Sequence, residues 1–237
     1  MAISFLDGQL TLISKLHELK ISLEEATEEA RTIVDEEDML GFSEERKKDS
    51  MLYKERLAAM SVTQKTFESL WETVRDQRIN LKMWNETPLH TMSGEKVTND
   101  ADNIKRTMTK LVKKFDKMGI DYEAPSRVAL EMKEEMVAFC RDCNPLLEIL
   151  CTNGLKERHW DIMNKTTDLD IPFVMNQMTL QLCVEHGLEE HVSKIEETCV
   201  NATKEYSLEK ALDNMELDWE GLEFGTKAYK DTGTSIL

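Results

Sequence analysis

A chain of 237 residues is long enough for one large domain or two small ones. Its formal charge of −16 leaves no basic stripe to displace counterions from phosphates, which argues against nucleic acid or an anionic membrane as partner. Hydrophobic residues at 41% permit a core, while only 9 Gly and 4 Pro supply little turn chemistry and point to long helices rather than many strands. Five cysteines without framework spacing point to reduced thiols in an intracellular compartment. The opening MAISFLDGQL has no cationic region before an apolar run, so it does not read as a signal peptide. No apolar run approaches the roughly 20 residues that span a bilayer.

Residues 1–50 carry only generic helical character. After Ser43, an N-cap, the residues Tyr53, Leu57, Met60, Phe67, Trp71, Val74 and Leu81 fall on one seam at alternating steps of four and three, with Gln64 and Arg78 at the intervening positions. The spacing predicts a helix of about 43–86 that ends before Pro88, because the residue before proline disfavours helix. The next helix repeats most regularly. Val97, Ala101, Ile104, Met108, Leu111, Phe115 and Met118 step by four and three, and Gly119 stops them.

A third helix begins near Pro125, a residue suited to a first turn. Its seam runs through Val128, Met132, Met136, Phe139 and Cys143. Asn144-Pro145 then breaks it, predicting a kinked or split helix over roughly 125–143 and 145–151. Gly154 ends that element and opens the next, 155–167. After the loop at Asp170-Ile171-Pro172, Leu180 to Val184 form a short apolar segment ending at Gly187. Leu188, Val192, Ile195, Cys199, Ala202 and Tyr206 form another seam. Leu208, Leu212, Met215, Trp219 and Leu222 form one more, out of phase with it, so a bend or a fresh start is expected at Ser207. From Leu222 the period shortens to two through Phe224, Thr226 and Ala228. With a turn at Asp231-Thr232-Gly233-Thr234, this predicts a hairpin over 222–237. The sequence stops on Ile236-Leu237, inside the second expected strand, which reads as a piece of a longer protein.

The candidate sites are weak. Cys140-Arg-Asp-Cys143, with Cys151 and His159, has spacings of 2, 7 and 7 that match no standard zinc finger, and Cys143 belongs to an apolar seam. Gly221 to Lys227 has three residues between its glycines where a phosphate loop needs four, and its Thr and Lys are reversed. Asn99-Asp-Ala-Asp-Asn103 alternates carboxylates as calcium loops do, but lacks the central Gly and closing Glu. His186 and His191 are five apart and do not share a helix face. No Ser–His–Asp set stands out among 46 acids. The residues give no catalytic, metal-binding or cofactor-binding site.

Gly154-Leu155-Lys156-Glu157-Arg158-His159-Trp160 is the most concentrated stretch of chemistry. It resembles a signature of dynein heavy chains, at a helix start where the tail enters the linker. Trp84-Asn-Glu-Thr-Pro88 is similar to the family's step into the linker, and Asn144-Pro145-Leu146-Leu147 to its helix with an internal proline. Ala202 to Leu212, Trp219-Glu-Gly-Leu-Glu-Phe224 and the hairpin around Gly233 follow in the family's order, so the resemblance covers about residues 52–237. It leans toward the axonemal heavy chains.

The resemblance implies a mainly α fold: an elongated bundle of long amphipathic helices with a short C-terminal β-hairpin. Residues 1–90 would be tail-end helices and 91–237 the N-terminal part of the linker. The linker is a rod that crosses the AAA+ ring of the parent chain and swings as ATP is turned over, in a minus-end-directed microtubule motor. This segment lacks the ring and its nucleotide loops and would catalyse nothing itself. The implied partners are dynein intermediate, light and light-intermediate chains and the ring, with microtubules met only indirectly. The implied location is the cytoskeleton, in the axoneme of a cilium. Gly154, Leu155, Arg158, His159, Trp160, Pro145, Trp219 and Gly233 are its structural signature. Trp160, buried beside an ion pair, would clamp the 155–167 helix to the 125–151 helical hairpin. The alternative is a stand-alone acidic helical scaffold, which would have no use for the hairpin.

Overall fold

A computed structural model describes residues 2–223, 225, 227–231 and 233–236. Eight α-helices account for most of the described chain: α1 (Ala2–Met39), α2 (Glu44–Glu86), α3 (Gly94–Met118), α4 (Glu123–Asp142), α5 (Asn144–Leu150), α6 (Glu157–Thr167), α7 (Leu180–Glu185) and α8 (Val192–Trp219). The chain divides into two compact units. One contains residues 1–87 and 95–144, the other 88–94 and 145–237, so the backbone passes between them three times.

In the first unit, α1 and α2 form an antiparallel helical hairpin, turned at Gly41 in the left-handed region (φ 67°). Leu23, Ala30 and Leu57 form its buried centre, with Ala26 packed against them. Gln64 donates from Nε2 to the Leu16 carbonyl (3.0 Å), and Lys20 pairs with Glu68 (3.2 Å). The inner face of α1 follows Ile13, Leu16, Lys20, Leu23, Thr27, Ala30, Val34 and Glu37, all buried or half-buried. Steps of three and four run throughout, but Lys20, Thr27 and Glu37 interrupt the apolar reading, so residues 1–50 look featureless by composition.

The expected α2 seam is only partly the buried one. Leu57, Gln64 and Val74 are buried, but Tyr53 and Met60 are each 53% exposed, and further along the buried positions are Leu70, Gln77 and Trp84. The cause is a change of partner. The N-terminal half of α2 packs on α1, while its C-terminal half meets α3 and α4 on a face turned to suit them. There Phe67 lies against Phe115 (ring centroids 5.4 Å) and Trp84 against Phe139 (5.3 Å), and Gln77 donates to the Met132 carbonyl (3.1 Å). The α3 seam is buried from Val97 to Phe115, with Met118 half-buried at its end. Gly119 follows at φ 106° and stops the helix. In α4, Met136 and Phe139 are buried, as is Cys143 at its C-cap, and Ser126 donates to Asp116 (2.7 Å).

The chain enters the second unit at Asn144–Pro145, where α4 has ended at Asp142 and α5 begins. Pro145 sits in the first turn of α5, where its missing N–H is harmless. Residues 88–94 belong to this unit. Leu89 donates its N–H to the Met178 carbonyl (2.8 Å), and Pro88 bridges Thr179. Gly94 lies where an added Cβ would overlap the Leu147 carbonyl, so α3 starts at a residue that needs no side chain.

Two expectations for this unit need correction. α8 is continuous through Ser207, with no fresh start; the phase change in its apolar residues moves the stripe to the opposite side of the same helix. Leu188, Ile195, Cys199 and Ala202 are buried, whereas Leu208, Leu212, Met215, Trp219 and Leu222 are each between 58% and 66% exposed. The hairpin expected over 222–237 is not seen at that length. Among the described residues, two three-residue strands pair, β1 (Lys227–Tyr229) and β2 (Thr234–Ile236), antiparallel with Ala228 opposite Ser235. Leu222 and Glu223 lie in no strand, and Phe224, Thr226, Thr232 and Leu237 fall outside the described residues. Lys230 (φ 50°) and Gly233 (φ 70°) take the left-handed positions of the turn. Among the described residues, no helix is long and apolar enough to cross a membrane.

Candidate functional site

The GLKERHW stretch enters α6, and the local structure is set by how the two ends of that helix are capped. Lys156 is the extended N-cap residue (φ −111°, ψ 168°) and its carbonyl accepts from the N–H of His159 (2.9 Å). A lysine side chain cannot accept a hydrogen bond, so the usual side-chain cap is unavailable. His159 reverses the arrangement, its Nδ1 accepting from the Lys156 N–H (3.0 Å). That bond requires a lone pair on Nδ1, so the ring proton sits on Nε2, where it is donated to Glu205 (3.1 Å). The far end of α6 closes at Asp168, in the left-handed region at φ 60°.

Gly154 lies in a turn, but the turn does not call for glycine. Its φ is unexceptional, but an added Cβ would overlap the Ala202 carbonyl and crowd the Tyr206 side chain. The backbone before α6 therefore lies directly on α8, and Ala202, fully buried, is small enough to permit the approach. From that contact outward the two helices are joined by charge. Lys156 Nζ reaches both carboxylate oxygens of Glu209 (2.7 and 2.6 Å), and Arg158 Nη2 donates to Glu205 (2.6 Å) with Glu209 at 3.8 Å. Glu205 and Glu209 are four apart and share the side of α8 that faces α6. The Arg158 guanidinium, followed by the His159 donor, holds the Glu205 carboxyl below its ordinary value, and Lys156 does the same to Glu209.

Beneath the charges lies an apolar layer. Leu155, His159, Trp160 and Met163 are buried, Trp160 only 2% exposed. Met163 meets the Cys199 thiol (3.8 Å between sulfurs). Trp160 stacks at a tilt on Phe173 (6.3 Å), and both line a cleft of about 20 Å³ with Leu89, Leu150, Leu155 and Met178. Asn164 fastens the following loop. Its side chain donates to the Ile171 carbonyl (2.9 Å) and accepts from the Ile171 N–H (3.2 Å).

Five signature residues thus meet at one joint: Gly154, Leu155, Arg158, His159 and Trp160. The other three lie elsewhere, Pro145 in α5, Trp219 at the end of α8 and Gly233 in the β1–β2 turn. The expected clamp onto 125–151 is corrected by the geometry. The charged side chains engage α8, while the indole and Leu155 line a cleft that includes Leu150. Sequence reasoning missed Ala202, Glu205 and Glu209. Their signal, a small residue followed by two acids on the same side, has no weight in a chain with 46 acids.

No reactive constellation accompanies the joint. Burial pushes the Cys151 thiol up to about 11 and the Cys183 and Cys199 thiols to about 12, so all three are protonated at neutral pH. Cys140 is half-buried with its thiol 3.9 Å from Asp102, and its value is also raised by burial. Both ring nitrogens of His159 are engaged in hydrogen bonds. Asn99–Asn103 lies within α3, with Ala101 buried. Among the described residues, no group of three or more His, Cys, Asp or Glu is placed to hold a metal ion.

The fold and joint define a helical structural segment, with its densest polar geometry devoted to fixing one helix on another. Comparison with known sequences gives it a family. Residues 57–237 match the model of "Dynein heavy chain, N-terminal region 2", and the chain belongs to that family. It is 34% identical over 225 residues to dynein axonemal heavy chain 3 of Homo sapiens, covering 95% of this chain and 5% of that one. It is 30% identical over 183 residues to dynein axonemal heavy chain 1 of Mus musculus, covering 77% and 4%. Over 166 residues it is 28% identical to dynein axonemal heavy chain 2 of Homo sapiens, covering 70% and 4%. The chain thus spans a twentieth or less of the length of these relatives.

Two outcomes check the joint. Trp160→Ala removes a buried indole and is expected to cost about 3–5 kcal/mol in denaturant unfolding; a loss under about 1 kcal/mol contradicts the packing described. The pH dependence follows from the two depressed carboxyls. Their stabilisation is complete above the ordinary value of 4.5 and is lost as pH falls through the lower folded values. The native chain should therefore lose thermal stability on acidification below about pH 4.5 more steeply than the double variant E205Q/E209Q. Parallel curves contradict the ion-pair assignment.

Proposed function

We propose that this chain is a mechanical segment of an axonemal dynein heavy chain, at the end of the tail and the first part of the linker. It couples an ATP-driven, minus-end-directed motor to the tail and the subunits the tail carries. Residues 1–90 make up the tail-end helices and 91–237 the start of the linker. The segment turns over no nucleotide itself. Its partners are the AAA+ ring of the parent chain and the intermediate, light and light-intermediate chains, and it meets microtubules only through the rest of the motor. Its place is the ciliary axoneme.

The observation that carries this reading is the α6–α8 joint within the family-matched region. A segment that transmits force needs helices that do not slide past one another. A backbone-on-backbone contact at Gly154 and Ala202 blocks sliding, because a shift of one turn along α8 brings Gly154 against a bulkier position: Cys199 or Tyr206 in place of Ala202. The ion pairs fix the register a second time, since each cation has its own acid one turn apart.

The test is made in a full-length heavy chain carrying this segment. Replacing Lys156 and Arg158 by Ala should slow microtubule gliding several-fold while ATP turnover in solution is retained, the signature of lost coupling. Unchanged gliding in a variant whose joint is shown to be loosened would overturn the proposal.

A further inference from the structure

The α1–α2 hairpin leaves one of its two long grooves apolar and open. On α1, Leu12, Leu19, Ala26 and Ile33 succeed one another at intervals of seven and so stay on nearly one side of the helix. On α2, Tyr53, Met60 and Phe67 do the same. Both stripes flank the buried Leu23–Ala30–Leu57 centre on the same side of the hairpin, where Ile33 and Tyr53 line one groove of about 340 Å³ with Ala30 and Ser50. Leu19 is 44% exposed, Ile33 48%, and Tyr53 and Met60 53% each. The groove on the opposite side is mixed, with Lys20, Glu24, Glu28 and Lys65 beside Ala58 and Val62.

What covers the stripe is visible at its far end. Phe67, its last member, is covered by Phe115 of α3 and by Tyr122, at ring-centroid distances of 5.4 and 6.1 Å. Tyr53 and Met60 continue that same interface toward the hairpin turn, where no helix of this chain covers them among the described residues. The sequence spacing already marks them as seam positions. Two antiparallel helices with one such open flank are completed by a third helix laid in the groove. Its chemistry follows from the rim, where Glu18, Glu29 and Glu36 on α1 and Glu45 and Asp49 on α2 outnumber Lys15, Arg46 and Arg56. A second copy of this hairpin would bring the same acids against them.

We infer that this groove docks an amphipathic helix of a separate polypeptide, with an apolar stripe flanked by lysine and arginine. The inference goes beyond the motor reading and does not require it.

The experiment uses the purified chain and two designed helical peptides of about 21 residues, or three heptads, with Leu and Ile at the seam. One is flanked by Lys and Arg, the other by Glu. Fluorescence anisotropy should show saturable binding of the basic peptide in the micromolar range and at least about tenfold weaker binding of the acidic one. Ile33→Glu and Met60→Glu should each weaken the basic peptide at least about tenfold. Val62→Glu, on α2 away from this groove and itself 54% exposed, should leave it unchanged, which separates a lost site from a lost fold. No saturable binding below about 200 µM overturns the inference. So do equal binding of the acidic peptide, or insensitivity to Met60→Glu. A dimer in sedimentation that Met60→Glu abolishes also overturns it, by assigning the groove to a second copy.

Discussion

The second unit depends on one steric fact, the absence of a side chain at Gly154. Because that residue presents only hydrogen, the backbone entering α6 lies on the Ala202 carbonyl of α8. Everything else at the joint is positioned by that approach. Lys156 and Arg158 arrive within reach of Glu209 and Glu205, His159 caps its own helix with one nitrogen and holds Glu205 with the other, and Trp160 is turned into the apolar layer. The exposed ion pairs contribute little stability individually. Their role is register, since two cations matched to two acids at a helical repeat define one sliding position and penalise the rest. Stability comes from the buried indole, Leu155 and Met163.

How much of this is legible in the sequence depends on how many partners a helix serves. α3 has neighbours on one face along its whole length, and its four-three stripe from Val97 to Phe115 reads directly as the buried face. α2 serves α1 first and then α3 and α4, so its buried stripe changes side and a single seam drawn through Tyr53 and Met60 overstates their burial. α1 is obscured for another reason. Lys20, Thr27 and Glu37 occupy inner positions, where Lys20 pairs with Glu68 and one oxygen of Glu37 accepts from Ser50. In α8 the shift of phase at Ser207 is real, but a continuous helix absorbs it by presenting two stripes on opposite sides. At the joint, the compact run of cations, imidazole and indole stands out as sequence. The acids that receive it sit some 50 residues away, one of many similar pairs, and only the fold selects them.

The connection between the units also bears on a mechanical reading. The backbone passes three times between them, at residues 87–88, 94–95 and 144–145. Proline stands at two of these passages, Pro88 and Pro145, and glycine at the third, Gly94. At each proline a helix cannot run on unchanged, and Gly94 lets α3 begin against the Leu147 carbonyl.

The most direct measurement of the central claim is residue-resolved native-state hydrogen exchange on the chain and on Gly154→Ala. If the joint is one cooperative structure, amides of α6 from Trp160 to Thr167 and of α8 from Ile195 to Thr203 open with a common free energy. In Gly154→Ala both sets should lose protection together, while the first unit keeps its own. Independent exchange of the two helices, or a Gly154→Ala variant with native protection in both, would contradict the claim that this glycine holds them in register.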